Sequence, residues 1–261
     1  MALLYLWVVK NPMGIVVRRL LCFGAFFCVF LLIGPAFGKD KEKVTNFTFQ
    51  FADKTRTVYT VIPQRDAPMP LVMLLHGSGR NGEIMASIWK DIALREGFIV
   101  AAPTAYDPAT WNSANDTPEF FRAIVEQVKT RHAVDDSRIY LFGHSAGAAF
   151  ALFLTVVDSD LFAATAIHAG ALQTDPNGLF EQAERKTPIA IWVGDRDPNF
   201  PVDQVMATKK IFESNGYTVQ LSVILGHDHN YYAISDEING KAWKFLKNAT
   251  VLSRQIDKPD Q

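Results

Sequence analysis

The chain has 261 residues, 49% of them hydrophobic, with 26 basic against 27 acidic side chains and a net charge of −1. That is enough chain for one sizeable core and one domain, and with no basic patch interleaved with aromatics a nucleic-acid partner has no support. Both cysteines, Cys22 and Cys28, lie near the N-terminus, so the remainder can hold no disulfide, thiol nucleophile or zinc–thiolate site.

Residues 1–38 read as an export signal. Lys10, Arg18 and Arg19 form a basic start with no acidic residue, and the uncharged run LLCFGAFFCVFLLIGPAFG follows from Leu20 to Gly38. The small residues Ala36 and Gly38 place cleavage after Gly38. Met13 offers a second start that would shorten the leader. The competing reading is an uncleaved anchor, since about 18 apolar residues just span a bilayer; Pro35 and the small-residue exit favour cleavage. Without the leader, 23 basic residues face 27 acidic ones, a net charge of −4. Residues 39–261 then form a single domain, secreted or periplasmic, with a membrane attachment only if the leader is retained. Three sequons, at Asn46, Asn115 and Asn248, matter only in a host that glycosylates exported proteins.

From Lys39 onward, KVTNFTFQFADKTRTVYTVIP alternates as an antiparallel pair turning near Ala52–Lys54. The pattern then changes to short apolar runs ending in small or turn residues. These are LVMLLHG (71–77), FIVAAPT (98–104), RIYLFGH (138–144), ATAIHAG (164–170), IAIWVGD (189–195) and VQLSVILG (219–226), all reading as strands buried on both faces. Amphipathic stretches of helical length lie between several of them: MASIWKDIALREG, PEFFRAIVEQVKTRH, VDQVMATKKIFESNG and AISDEINGKAWKFLKNA. Such alternation predicts an α/β domain with a mostly parallel sheet and helices on both faces. The short connection between the runs at 164–170 and 189–195 leaves no room for a large lid.

The most specific signal is Gly143-His144-Ser145-Ala146-Gly147, directly after a predicted strand and directly before a predicted helix. That context makes G-x-S-x-G a nucleophile elbow: the serine sits on a sharp turn, and its neighbours two before and two after must be small for strand and helix to approach. The following helix N-terminus favours negative charge beside Ser145, and the Ala146 N–H can face an oxyanion. A second donor is expected from the glycine-rich His76-Gly77-Ser78-Gly79 connection, at the Ser78 N–H with help from Gly79. His76 itself reads as a residue that orders this loop. The segment GSGRNG lacks the Gly-Lys-Ser/Thr ending of a phosphate-binding loop.

A triad acid belongs on a loop at the carboxyl end of a strand, and the stretch GDRDPNFPV offers Asp195 and Asp197. Asp195 lies next to the strand, where its side chain can be committed to the turn; Asp197 has more reach and is favoured. For the base, GHDHNYY (226–232) offers His227 and His229. Histidines two apart on an extended segment point to opposite sides, which makes a metal site of His227, Asp228 and His229 poor. Trp111, Tyr106, Phe200, Tyr231 and Tyr232 are candidates for an aromatic wall.

The stretches LVMLLHGSG, VDDSRIYLFGHSAGAAF, IWVGDRD and GHDHNYY together resemble the alpha/beta-hydrolase superfamily, in particular exported polyhydroxybutyrate depolymerases and feruloyl esterases, over about residues 55–249. The resemblance implies the order serine, acid, histidine. It places the acid three residues after the glycine that ends its strand, at Asp197. Family members often follow the last strand with a five-residue loop ending in the base, which laid over LGHDH gives His229. GHDHNYY is also similar to esterase D-like enzymes, with Asn230 where those have serine, and selects the same histidine. The resemblance therefore implies a serine carboxylic-ester hydrolase acting through an acyl-enzyme, with no metal or organic cofactor, on polyester, feruloyl, acetyl-polysaccharide or small acyl esters. A peptidase or amidase on the same fold, a binding protein with a relic triad, and a metallohydrolase are the alternatives. The sequence specifies no oligomeric state.

Overall fold

The computed structural model describes residues 43–172 and 178–251. The chain divides into two units, Met1–Lys39 and Asp40–Gln261, and the described residues all belong to the second; the export signal, Met13 and both cysteines lie outside them. Among the described residues no helix is long and apolar enough to cross a membrane.

Among the described residues, one eight-stranded sheet organises the fold. Its strands in chain order are β1 (Thr45–Phe51), β2 (Lys54–Val61), β3 (Met69–Leu75), β4 (Ile99–Pro103), β5 (Val134–His144), β6 (Ala164–His168), β7 (Ile189–Gly194) and β8 (Val219–Ile224). They lie side by side as β1-β2-β4-β3-β5-β6-β7-β8. The expected hairpin is present, with Phe51 paired to Lys54 and Ala52 in the turn at φ 52°. β1 and β2, and β2 and β4, run antiparallel; every other pair is parallel. The helices are α1 (Gly82–Glu96), α2 (Pro118–Lys129), α3 (Ala146–Val157), the short α4 (Leu179–Gln182), α5 (Val202–Ser214) and α6 (Ser235–Leu246).

The alternation of side chains across the strands builds two cores. Leu71, Met73 and Leu75 of β3 pack with residues of α2, α3 and α5 on one face. Val72 and Leu74 pack with α1 and α6 on the other. β3, β4 and β7 are therefore apolar at every position, because both their faces are covered. Full burial of such side chains contributes about 1.5–3 kcal/mol apiece.

Two expectations need correction. The run at 219–226 was expected to be buried on both faces, but β8 is an edge strand paired only with β7, and Gln220, Ser222 and Val223 are exposed. An edge strand with incomplete cover needs fewer apolar positions. The last amphipathic stretch is not one helix either: Tyr231–Ile234 form a 3₁₀ turn, and α6 begins at Ser235. The connection from β6 to β7 contains, among its described residues, only the four-residue α4, consistent with a fold lacking a large lid.

Candidate active site

The site lies at the carboxyl ends of the parallel strands, where loops leave the sheet. β5 ends at His144 and α3 begins at Ala146, so the whole reversal falls on Ser145, at φ 58° and ψ −121°. A non-glycine residue there carries roughly 1–3 kcal/mol of strain and persists only if its surroundings hold it. They do: the Ser145 N–H donates to His168 O at 3.1 Å, and Ser145 O accepts from the N–H groups of Ala148 at 2.9 Å and Ala149 at 3.0 Å. A Cβ on Gly143 would lie 2.3 Å from Gly147 O, and one on Gly147 would lie 2.4 Å from Leu75 O. Both glycines are thus fixed by the closeness of backbone to backbone.

The other sequence-selected residues converge on this serine. His229 Nε2 lies 2.9 Å from Ser145 Oγ, and His229 Nδ1 lies 2.8 Å from Asp197 Oδ2. A carboxylate can only accept, so Nδ1 carries the proton and the Nε2 lone pair faces the hydroxyl. The Asp197 side chain is fully buried, and its Oδ1 accepts from the N–H groups of Asn199 at 2.8 Å and Phe200 at 3.0 Å. One carboxylate oxygen is therefore anchored by the loop and the other aims at the imidazole. Phe200 stacks against His229, ring centres 5.7 Å apart. Asp195 instead is exposed and accepts from the Gly226 N–H at 2.7 Å, tying the end of β7 to the turn after β8.

The oxyanion side is held by a second loop. A Cβ on Gly77 would sit 3.3 Å from Ser145 Cβ, so the connection after β3 abuts the serine. Among the described residues, the N–H groups of Ser78 and Ala146 have no protein acceptor and are available to a ligand oxygen. Gly79 was expected to help, but its N–H donates to Pro108 O at 2.9 Å and is already used. His76 is buried and orders the loop: its Nδ1–H donates to Gly77 O at 2.8 Å, and its Nε2 accepts from the Ala105 N–H at 3.0 Å. Burial holds its pKa below the usual imidazole value. The Trp111 Nε1–H closes the contact by donating to His76 O at 2.8 Å. The loop that supplies Trp111 is itself fixed by a buried ion pair, Arg56 to Asp116 at 2.6 Å. Asp116 also accepts from the N–H groups of Tyr106 at 2.9 Å and Asn112 at 3.2 Å.

A cleft of about 550 Å³ opens over Ser145, Ser78 and His229. Its remaining wall is more polar than expected, with Arg80, Asn199, Asp228 and Asn230 beside Tyr232. Of the five aromatic candidates only Tyr232 lines it. Trp111 and Phe200 are buried in the core, Tyr231 is fully buried, and Tyr106 lines an adjacent groove that shares Arg80. The aromatic wall is corrected accordingly: the rings of Trp111, Phe200 and Tyr231 find more apolar contact inside than at the mouth, and Tyr106 faces the neighbouring groove.

Three imidazoles outside this set form a chain. His168 Nδ1 lies 3.2 Å from His144 Nδ1, and His168 Nε2 lies 3.1 Å from His227 Nε2. Burial first, then the neighbouring imidazoles, pushes His168 down to about 2; burial and the nearby His229 push His144 down to about 3. The rings of His227 and His229 therefore serve different partners. Among the described residues no group of three or more His, Cys, Asp or Glu is arranged to hold a metal ion.

The depressed imidazoles make stability pH-dependent. As pH falls through about 6.5 the unfolded chain takes protons on both histidines, while the folded chain does not until about 3 and about 2. The unfolded state then binds more protons, so stability falls with acidification, by up to roughly 2.7 kcal/mol per pH unit for two such groups. Urea midpoints at pH 7, 6 and 5 should fall steeply in the wild type and less steeply in His168→Gln. Equal slopes would show that His168 does not contribute, since the buried His76 and exposed carboxylates titrate in both proteins.

Comparison with known proteins places the chain. A family model described as the dienelactone hydrolase family matches residues 57–252. The bifunctional acetylxylan esterase/xylanase XynS20E of Neocallimastix patriciarum is 29% identical over 143 residues, 52% of this chain and 20% of that protein. The poly(3-hydroxybutyrate) depolymerase of Ralstonia pickettii is 27% identical over 121 residues, 38% of this chain and 25% of that one. The chain thus matches a quarter or less of these two relatives' lengths. Among solved structures, the CE1 ferulic acid esterase of Anaeromyces mucronatus superposes with a TM-score of 0.64 at 18% identity, covering 79% of this chain and 90% of that one. At that identity the likeness is one of fold.

Proposed function

The chain belongs to the dienelactone hydrolase family, within the alpha/beta-hydrolase fold, and from that premise we propose that it is a serine carboxylic-ester hydrolase. Ser145 is the nucleophile, His229 the general base and acid, and Asp197 the residue that orients and stabilises the imidazole. The observation that carries this reading is the unbroken line from Ser145 Oγ through His229 to Asp197, at 2.9 and 2.8 Å, starting from a strained elbow.

In the first half-reaction His229 Nε2 takes the Ser145 proton as Oγ attacks the ester carbonyl. The negative oxygen is met by the N–H groups of Ser78 and Ala146 at the positive end of α3. His229 returns the proton to the leaving alcohol, giving an acyl-serine. Water, deprotonated by the same imidazole, then releases the acid and regenerates the serine. Asp197, locked by two backbone N–H groups, supports the imidazolium at each stage.

The relatives named for acetylxylan and poly(3-hydroxybutyrate) support esters borne on a polysaccharide or a polyester, and the open, polar cleft accommodates a bulky leaving group. The leader read from residues 1–38 supports action outside the cytoplasm. The test is a screen of purified protein on p-nitrophenyl acyl esters of increasing length, feruloyl esters, acetylated xylan and short hydroxybutyrate oligomers, alongside matched amides. Ester turnover at least about 100-fold above that of the amides, together with fluorophosphonate labelling of Ser145, is the expected result. Amide turnover as fast as ester turnover would move the assignment to a peptidase, and absence of labelling in folded protein would point to a relic site.

A further inference from the structure

We propose that His168 and His227 are positioning residues: His168 is a buried anchor that, through His227, sets the loop bearing His229. This inference rests on the assignment of His229 as the base.

Apart from the contacts of His229 itself with Asp197 and Phe200, the loop between β8 and the 3₁₀ turn is held by a few hydrogen bonds and one further inward ring. β8 lies at the edge of the sheet, and Leu225 at its end is 85% exposed. Backbone ties fasten the first half of the loop to the end of β7: the Arg196 N–H donates to His227 O at 2.9 Å, and Gly226 N–H donates to Asp195 Oδ1 at 2.7 Å. Before His229, the inward side-chain contact is the His227 ring, whose Nε2 meets His168 Nε2 at 3.1 Å. His168 ends β6 in the centre of the sheet and is wholly buried. The base is therefore two residues from a side chain referenced to the rigid core.

Proton counting gives the chain a direction. A neutral imidazole has one N–H and one lone pair. His144 Nδ1 lies 3.3 Å from His168 O, which can only accept, as well as 3.2 Å from His168 Nδ1. His144 Nδ1 therefore carries the proton, and His168 Nδ1 accepts. His168 must then hold its single proton on Nε2 and donate it to His227 Nε2. His144, His168 and His227 are in this way one ordered donor series, with each tautomer fixed by its neighbour. The low pKa values of His144 and His168 keep those two buried rings neutral while His229 becomes cationic during turnover. His227 thus needs an acceptor at the position of its Nε2, a requirement that glutamine meets and leucine does not.

The experiment compares His227→Leu, His227→Gln and His229→Gln in the full chain, with circular dichroism and thermal melts as checks of folding. His227→Leu should lower kcat about 10- to 100-fold with KM within twofold of wild type. His227→Gln should recover most of the rate, while His229→Gln is inactive. If His227→Leu does not fold, His168→Leu cuts the same contact from the other side and should show the same kcat loss with KM little changed. Wild-type kcat in folded His227→Leu would overturn the positioning role and leave the base assignment standing. Inactivity of folded His227→Gln with turnover retained in His229→Gln would overturn the base assignment, and the positioning role with it.

Discussion

Ser145→Ala is expected to lower kcat/KM for an ester by about 10⁴-fold or more, and His229→Gln to fall in the same range. The two losses should not multiply in the double variant, because each removes the same step: generating an alkoxide at Oγ. What survives is the contribution of the Ser78 and Ala146 N–H groups and of substrate binding, which neither change touches. Asp197→Asn should cost about 10⁴-fold, since an amide presenting its NH₂ to Nδ1 would reverse the imidazole tautomer and turn a donor toward Ser145. Folding should be preserved in the serine variant, whose hydroxyl, among the described residues, hydrogen-bonds only to His229. Steady-state kinetics on an ester found in the screen, with fluorophosphonate labelling in parallel, checks all three. Turnover in Ser145→Ala within tenfold of wild type would remove the acyl-enzyme mechanism altogether.

The second large effect is on stability rather than chemistry. Gly147→Ala places a methyl group 2.4 Å from Leu75 O and 2.6 Å from His76 O. Both contacts are backbone, so relief requires α3 and the end of β3 to separate. Forced overpacking of this kind costs about 1–3 kcal/mol, and more where backbone must move; about 3 kcal/mol corresponds to a fall in Tm of roughly 6–12 °C for a unit of this size. Activity should fall as well, because the displaced segment leads directly into the oxyanion loop. Gly240→Ala is the matched comparison. It lies in α6 with nothing within 4 Å of the added carbon, and exchanging glycine for alanine in a helix should raise stability by about 0.5–1 kcal/mol. A Gly147→Ala melt no lower than wild type would show that strand and helix can part at little cost.

The elbow was legible because its requirements are local: a buried strand, a serine, two glycines and an apolar helix within one short stretch. Asp197 and Ser78 were legible for a related reason, since each sits at a fixed distance beyond the end of a strand. Sequence periodicity reports how a segment alternates, but not what will lie opposite it. For that reason β8 read as fully covered, although nothing in VQLSVIL marks it as the last strand of the sheet. Trp111 offered no sign that it would turn inward to His76 rather than toward the cleft. The Gly79 N–H looked available until Pro108, 29 residues later, was seen to take it. The contact of His168 with His227 spans 59 residues, and no motif joins them. What could have hinted at it is a census: four of the chain's six histidines end strands or stand in the last loop.

The buried pair of Arg56 and Asp116 has a bearing on where this catalytic unit begins. Arg56 stands one residue before the stretch matched by the family model, which opens at residue 57. Yet its guanidinium neutralises a carboxylate that is wholly enclosed and that shapes the loop gripping His76. A version trimmed to the family boundary would keep every residue of the proposed triad. It would also leave Asp116 as an unpaired internal charge, a defect that costs about 3–5 kcal/mol when one partner of such a pair is lost. A trimmed version starting at residue 57 should therefore be less stable than one that keeps Arg56, which serves the site by load path rather than by contact.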